Sequence, residues 1–187
     1  MNDEDFWGVI ERAYDPKLAV REEKLMAALM ELSEEEVMAF DRKWTECYFR
    51  LYTWLLWGAA YLAQGGCSDD GFMDWRNWVI SCGREAYETA LERPDDLGPL
   101  VEREPDAGNE GMGYVAPRVL DRKNPQWKGS PPRLEGLVPP DEPAGPEWTD
   151  DEDLERLLPK MYAWSLQREA VLAEQLKKKR PWWKFWG

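Results

Sequence analysis

Apolar residues recur along most of this chain at intervals of three and four, the spacing of helices that bury one face. Phe6, Trp7, Ile10 and Tyr14 keep that spacing behind Asp3, Glu4 and Asp5, which favour the positive end of a helix dipole. Residues 3–14 are therefore expected to form a short first helix. After Asp15-Pro16, Leu25, Met26, Leu29 and Leu32 mark a second, running to about Leu32. Ser33 with Glu36 reads as a capping box, each side chain serving the other residue's amide. From there Val37, Phe40, Trp44, Tyr48, Leu51, Leu55 and Leu62 hold the rhythm, and Trp54, Trp57 and Tyr61 widen the stripe. A helix over 34–63 would be about 45 Å long at about 1.5 Å per residue, and a break or bend is expected near Thr53.

The next stretch is the one around which the chain is organised. Gly65-Gly66 suits a left-handed helix end, and Ser68-Asp69-Asp70 supplies short polar groups for the free amides of a following helix. Phe72, Trp75, Val79, Cys82, Ala86 and Ala90 then share one face of a helix ending near Arg93, before Pro94.

At Gly98 the pattern changes. Ten of the fourteen prolines lie between there and Trp148, which excludes a long helix or a central strand. Met112 to Leu120 is a local apolar run suited to a short helix or an ordered segment ending near Pro125, and 129–147 reads as an extended linker of polyproline character. Thr149 with Glu152 resembles a second capping box, and Pro159 should kink or restart the helix it opens, which continues to about Lys179 with Leu172 and Leu176 as late apolar positions. Strand signals are poor and no repeat of 20–50 residues occurs. The expectation is an all-α protein: a helical domain over 1–123, a Pro-rich linker or arm over 124–148, a C-terminal helix over 149–179, and a basic aromatic tail over 180–187.

Composition narrows the chemistry. A chain of 187 residues with 43% hydrophobic content supports one domain with a sizeable core. A net charge of −13 argues against a nucleic-acid surface, which draws its affinity from clustered Lys and Arg. The absence of histidine removes Ser-His-Asp, Cys-His and zinc-His arrangements. Three cysteines, Cys47, Cys67 and Cys82, lack framework spacing and suit reduced thiols. The opening MNDEDFW has no apolar h-region, and no stretch approaches the roughly 20 apolar residues of a membrane span. A cytoplasmic address is expected.

FDRKW at 40–44, WGAAYLAQGGCSDDGF at 57–72, the following WRNWVISCGREAYETAL and PDDL at 94–97 resemble the bacterial family known as domain of unknown function 4240. DFWGVIERA near the start and GMGYVAPRVL later are similar to it too, so the resemblance spans roughly residues 3–123. It implies an evolutionary unit and no activity. Members often carry an acidic residue where this chain has Leu55, and a histidine near the position of Lys43; those departures count against an enzymatic reading here.

Candidate site residues gather at the glycine corner: Trp57, Ser68, Asp69, Asp70, Asp74, Trp75 and Arg76. Ser68, Asp69 and Asp70 are explained by helix capping and the helix dipole. Alternatively Asp69, Asp70 and Asp74 gather oxygen ligands around Mg²⁺ or Ca²⁺, or the corner recognises a basic partner, with Arg76 and Arg84 nearby. Otherwise no cofactor and no catalytic residue is expected. Cys67 sits near a helix start that would lower its pKa, beside carboxylates that oppose it, so a small buried hydrophobe is the better reading. Trp44, Trp54, Trp57, Trp75 and Trp78 fall at core spacing, with Trp57 and Trp75 placed to line a pocket.

Lys177, Lys178, Lys179, Arg180, Trp182, Trp183, Lys184, Phe185 and Trp186 gather five positive charges and four aromatic rings in an acidic protein. They suit an anionic membrane surface, a partner's groove or the protein's own acidic face. The favoured function is a non-enzymatic interaction or accessory protein of a bacterial cytoplasm with an unknown protein partner. The alternatives are a divalent-metal carboxylate enzyme at the corner and a peripheral membrane adaptor held by the tail.

Overall fold

A computed structural model describes residues 1–104, 108, 110–127 and 134–179. They fold as α1 (Asp3–Ala13), α2 (Leu18–Met30), α3 (Glu34–Arg50), α4 (Trp54–Gln64), α5 (Asp69–Ser81), α6 (Arg84–Glu92), α7 (Gly98–Arg103), α8 (Val115–Lys123), α9 (Asp151–Leu157) and α10 (Pro159–Lys179). Short 3₁₀ turns occupy Pro94–Asp96, Glu110–Tyr114 and Pro125–Trp127. Among the described residues there is no strand, and the fold is all-α.

The Ser33–Glu36 capping box is present in both directions, at 3.2 Å and 2.8 Å. Of the break or bend expected near Thr53, the structure has the break: α3 ends at Arg50, and the Thr53 hydroxyl accepts the Leu56 amide at 3.2 Å to start α4. Two expectations are corrected. The helix read as running on to Arg93 is two helices, because Gly83, at φ 98° and ψ −179°, holds a conformation essentially reserved for glycine. The second capping box does not form: Asp150, not Thr149, is the cap, accepting the Asp153 amide at 2.9 Å, while the Thr149 amide and hydroxyl donate to the Asp153 carboxylate.

Phe6, Val37, Phe40, Leu51, Leu56, Trp75, Trp78 and Val79 form the centre of one core, all at 1% exposure or less. Within it α8 packs on α2 and α3, and α5 on α3 and the 110–114 turn. Trp44, Trp75 and Trp78 are buried as expected of core residues, whereas Trp54 and Trp57 are half-buried.

The C-terminal helices join the same body. A Cβ on Gly58 would stand 2.8 Å from Leu154 and 2.9 Å from Leu158, so only the bare backbone of α4 admits them. Pro159 restarts the chain as α10, and the Asp95 carboxylate caps it from outside, accepting the amides of Lys160 and Met161 at 2.9 Å each. The later described part of the expected linker, 134–148, is pinned as well: the Trp54 amide donates to the Ala144 carbonyl at 3.0 Å, the Ala144 amide to the Tyr52 carbonyl at 2.9 Å, and the Trp148 indole to the Trp54 carbonyl at 2.8 Å. The remainder of the Pro-rich run, 128–133, and the tail from Arg180 through Trp182, Trp183, Lys184, Phe185 and Trp186 lie outside the described residues.

Candidate functional site

The glycine corner is built as the sequence indicates. Gly65 closes α4 in the left-handed region at φ 71°, and Ser68 opens α5 by accepting the Gly71 amide at 3.2 Å. Trp57 braces the turn: its ring stacks between Trp54 and Phe72, centroids 5.6 and 5.0 Å away, and its indole donates to the Cys67 carbonyl at 3.0 Å. Burial first, then the charges of Asp69 and Asp74, push the Cys67 thiol up to about 11, so it is no thiolate nucleophile at neutral pH.

The seven corner candidates do not converge. Ser68 is a cap, and Asp69 and Asp70 project into solvent from the first turn of α5. Arg76 turns inward, its guanidinium 3.8 Å from the Tyr48 ring centroid and bonded to the Tyr48 hydroxyl at 2.8 Å, and burial lowers its pKa. Trp75, wholly buried, lines a cleft of about 360 Å³ between the end of α4 and α10, with Gln64, Gly65, Arg168 and Leu172. Among the described residues no group of three or more carboxylates and cysteines is placed to hold a metal ion, Asp69, Asp70 and Asp74 included.

Asp74 belongs to a different feature. It lies on the wall of a cleft of about 240 Å³ between α3, α5 and the 110–114 turn. Helix α3 contributes Asp41, Trp44, Thr45, Tyr48 and Phe49, positions that recur on one helical face; α5 adds Met73, Asp74 and Asn77, and the turn adds Glu110, Gly113 and Tyr114. The floor is fixed by hydrogen bonds. The Trp44 indole donates to Asn77 Oδ1 at 2.9 Å, and Asn77 Nδ2 donates to the Met73 carbonyl at 3.1 Å. Gly113 permits that packing, since a Cβ there would stand 2.7 Å from Asn77 Nδ2.

Three carboxylates and four aromatic residues thus face one small space. Asp41 has no hydrogen-bond or ion-pair partner among the described residues, and burial raises its pKa from 3.8 to about 6. Its chain neighbours are engaged elsewhere: Arg42 donates to the Glu135 carbonyl at 2.8 Å and Lys43 pairs with Asp3 at 2.6 Å. Burial also raises the Asp74 pKa, and the charges of Glu110 and Asp70 add to it. Tyr114, 47% exposed, and Met73, 45% exposed, stand at the mouth. Sequence reasoning found Asp74 but missed Asp41, Asn77, Glu110 and Tyr114. The available signal was a carboxylate inside the apolar stripe of α3, flanked by Phe40 and Trp44.

No curated protein and no solved structure matches this chain. The model of one family, described as "Protein of unknown function (DUF4240)", matches residues 1–122, which include both faces of the acidic cleft and the whole glycine corner. The chain therefore belongs to the DUF4240 family.

Proposed function

We propose that this protein is a non-enzymatic interaction protein of the bacterial cytoplasm, and that the cleft between α3 and α5 receives one cationic group of its partner, a lysine or arginine side chain. The observation that carries this reading is Asp41: a half-buried carboxylate, without a hydrogen-bond or ion-pair partner among the described residues, in a cleft walled by Trp44, Tyr48, Phe49 and Tyr114. A carboxylate that has lost part of its water without gaining a partner carries a desolvation cost, and a cation is the ligand that offsets it. Aromatic faces add cation–π attraction to the same group. The volume, about 240 Å³, lies below the usual range of small-molecule pockets, roughly 300–1,000 Å³, and suits a single head group. A net charge of −13 draws cations toward the surface. The three free cysteines suit a reducing compartment.

A heteronuclear NMR titration with N-acetyl-lysine methylamide tests this. Shifts should concentrate on Asp41, Asp74, Asn77 and Tyr114 and vanish in Asp41→Asn, with the uncharged N-acetyl-norleucine methylamide producing none. Equal shifts from both compounds would rule out recognition of charge.

A further inference from the structure

The buried stripe of α10 continues past the edge of the body. Met161 and Ser165 are buried at 0% and 7% exposure, and Leu172 and Leu176, which follow on the same helical face, are exposed at 48% and 67%. Val171, at 54%, adds to the apolar surface. A stripe that outruns its core is a face awaiting another apolar phase. What covers it is indicated by charge. From Lys177 onward the sequence has five cations, Lys177, Lys178, Lys179, Arg180 and Lys184, and no Asp or Glu, in a protein of net charge −13. Interleaved with them are Trp182, Trp183, Phe185 and Trp186, residue types that favour the membrane–water interface.

We infer that the distal part of α10, from Val171 onward, attaches the protein peripherally to an anionic lipid surface, Leu172 and Leu176 entering the headgroup boundary while the lysines meet acidic headgroups. Among the described residues no helix is long and apolar enough to cross a membrane, so attachment is in the plane of the surface. Two weak signals act together, as stable anchoring requires. The cation cleft is not involved: none of its lining residues lies on α10.

The test is co-sedimentation of the full chain with vesicles of phosphatidylcholine alone and of phosphatidylcholine mixed with phosphatidylglycerol. The wild type should bind the mixed vesicles and be released by high salt. Replacing Lys177, Lys178 and Lys179 together by glutamine should weaken binding by on the order of a hundredfold, at about fivefold per lysine. A second variant, Leu172→Gln with Leu176→Gln, changes exposed positions that the fold does not need and should also weaken binding while leaving the thermal midpoint in place. Equal binding to both vesicle types, or full binding by the leucine variant, would overturn the inference. So would concentration-dependent dimerisation in analytical ultracentrifugation, without vesicle binding, that the leucine variant abolishes; that result would assign the stripe to a second copy of the chain.

Discussion

Two regions of this protein hold carboxylates in opposite ways. At the junction of α2, α5 and α7, Glu104 is 3% exposed and fully bonded: Arg21 donates to it at 2.6 Å, the Tyr14 hydroxyl at 2.6 Å and the Cys82 thiol at 3.3 Å. Arg21, 1% exposed, is satisfied in turn by Ser81 at 3.0 Å and the Asp15 carbonyl at 2.9 Å. Burial alone would raise the Glu104 pKa; the bonds from Tyr14 and Arg21 and the Arg21 charge outweigh it and hold the group below the ordinary carboxylate range. Asp41, in the cleft, lacks every one of these partners, and its pKa rises. The junction is closed and complete, which marks it as structural, whereas the cleft is open and electrostatically incomplete, which marks it as a place for a ligand.

The largest expected effect breaks the closed region. Arg21→Met alone should destabilise the fold by about 3–5 kcal/mol, because it strands the Glu104 charge. A double replacement, Arg21→Met with Glu104→Leu, should recover much of that loss. Urea denaturation measures both, and a single variant costing less than about 1 kcal/mol would remove the distinction between the regions.

Asp41→Asn should act in the opposite direction. A carboxyl whose folded pKa is raised from 3.8 to about 6 binds more protons when folded than when unfolded between those values, so stability falls as pH rises through that window. The ionised group then costs on the order of 1–3 kcal/mol above the window, the lower figure allowing for the water that still reaches a half-buried carboxyl. The asparagine variant should therefore be more stable than the wild type at pH 7.5 and lose its advantage near pH 4. Glu104 has the contrary signature, its contribution present above its unfolded value and lost in acid. Denaturation curves across pH for the two single variants should diverge accordingly.

Smaller changes sharpen the comparison. Gly83→Ala, beside Cys82 at the closed junction, should cost about 1–3 kcal/mol through backbone strain yet leave cation binding intact, since Gly83 does not line the cleft. Tyr114→Ala at the cleft mouth should leave the melting midpoint nearly unchanged and weaken cation binding by about fivefold, the scale of an exposed cation–π contact. Calorimetric titration would read the second, and a shifted melting midpoint without a binding change would reassign Tyr114 to packing.

Much of this was legible in the sequence where the cause is local. Capping at Ser33 and Ser68, the break at Thr53 and the restart at Pro159 depend on residues close in the chain, and each stands where the pattern puts it. Gly83 was read through because the apolar spacing of Val79, Cys82 and Ala86 continues across it. Contacts between distant segments were not legible: Asp95 capping α10 spans 65 residues, and nothing near Trp148 announces its bond to Trp54. The site divided in the same way. Asp74 was found beside a conspicuous motif, while Asp41 and Glu110 are brought to it only by the packing of α5 against α3 and the 110–114 turn.

The most direct test of the cleft's role is the titration of the Asp41 carboxyl followed by carbon-13 NMR, with and without saturating N-acetyl-lysine methylamide. The free protein should give a midpoint near 6, and the cation should pull it well down, because an adjacent positive charge favours the carboxylate. A midpoint near the ordinary aspartate value in the free protein, or one that the cation leaves in place, would contradict the account.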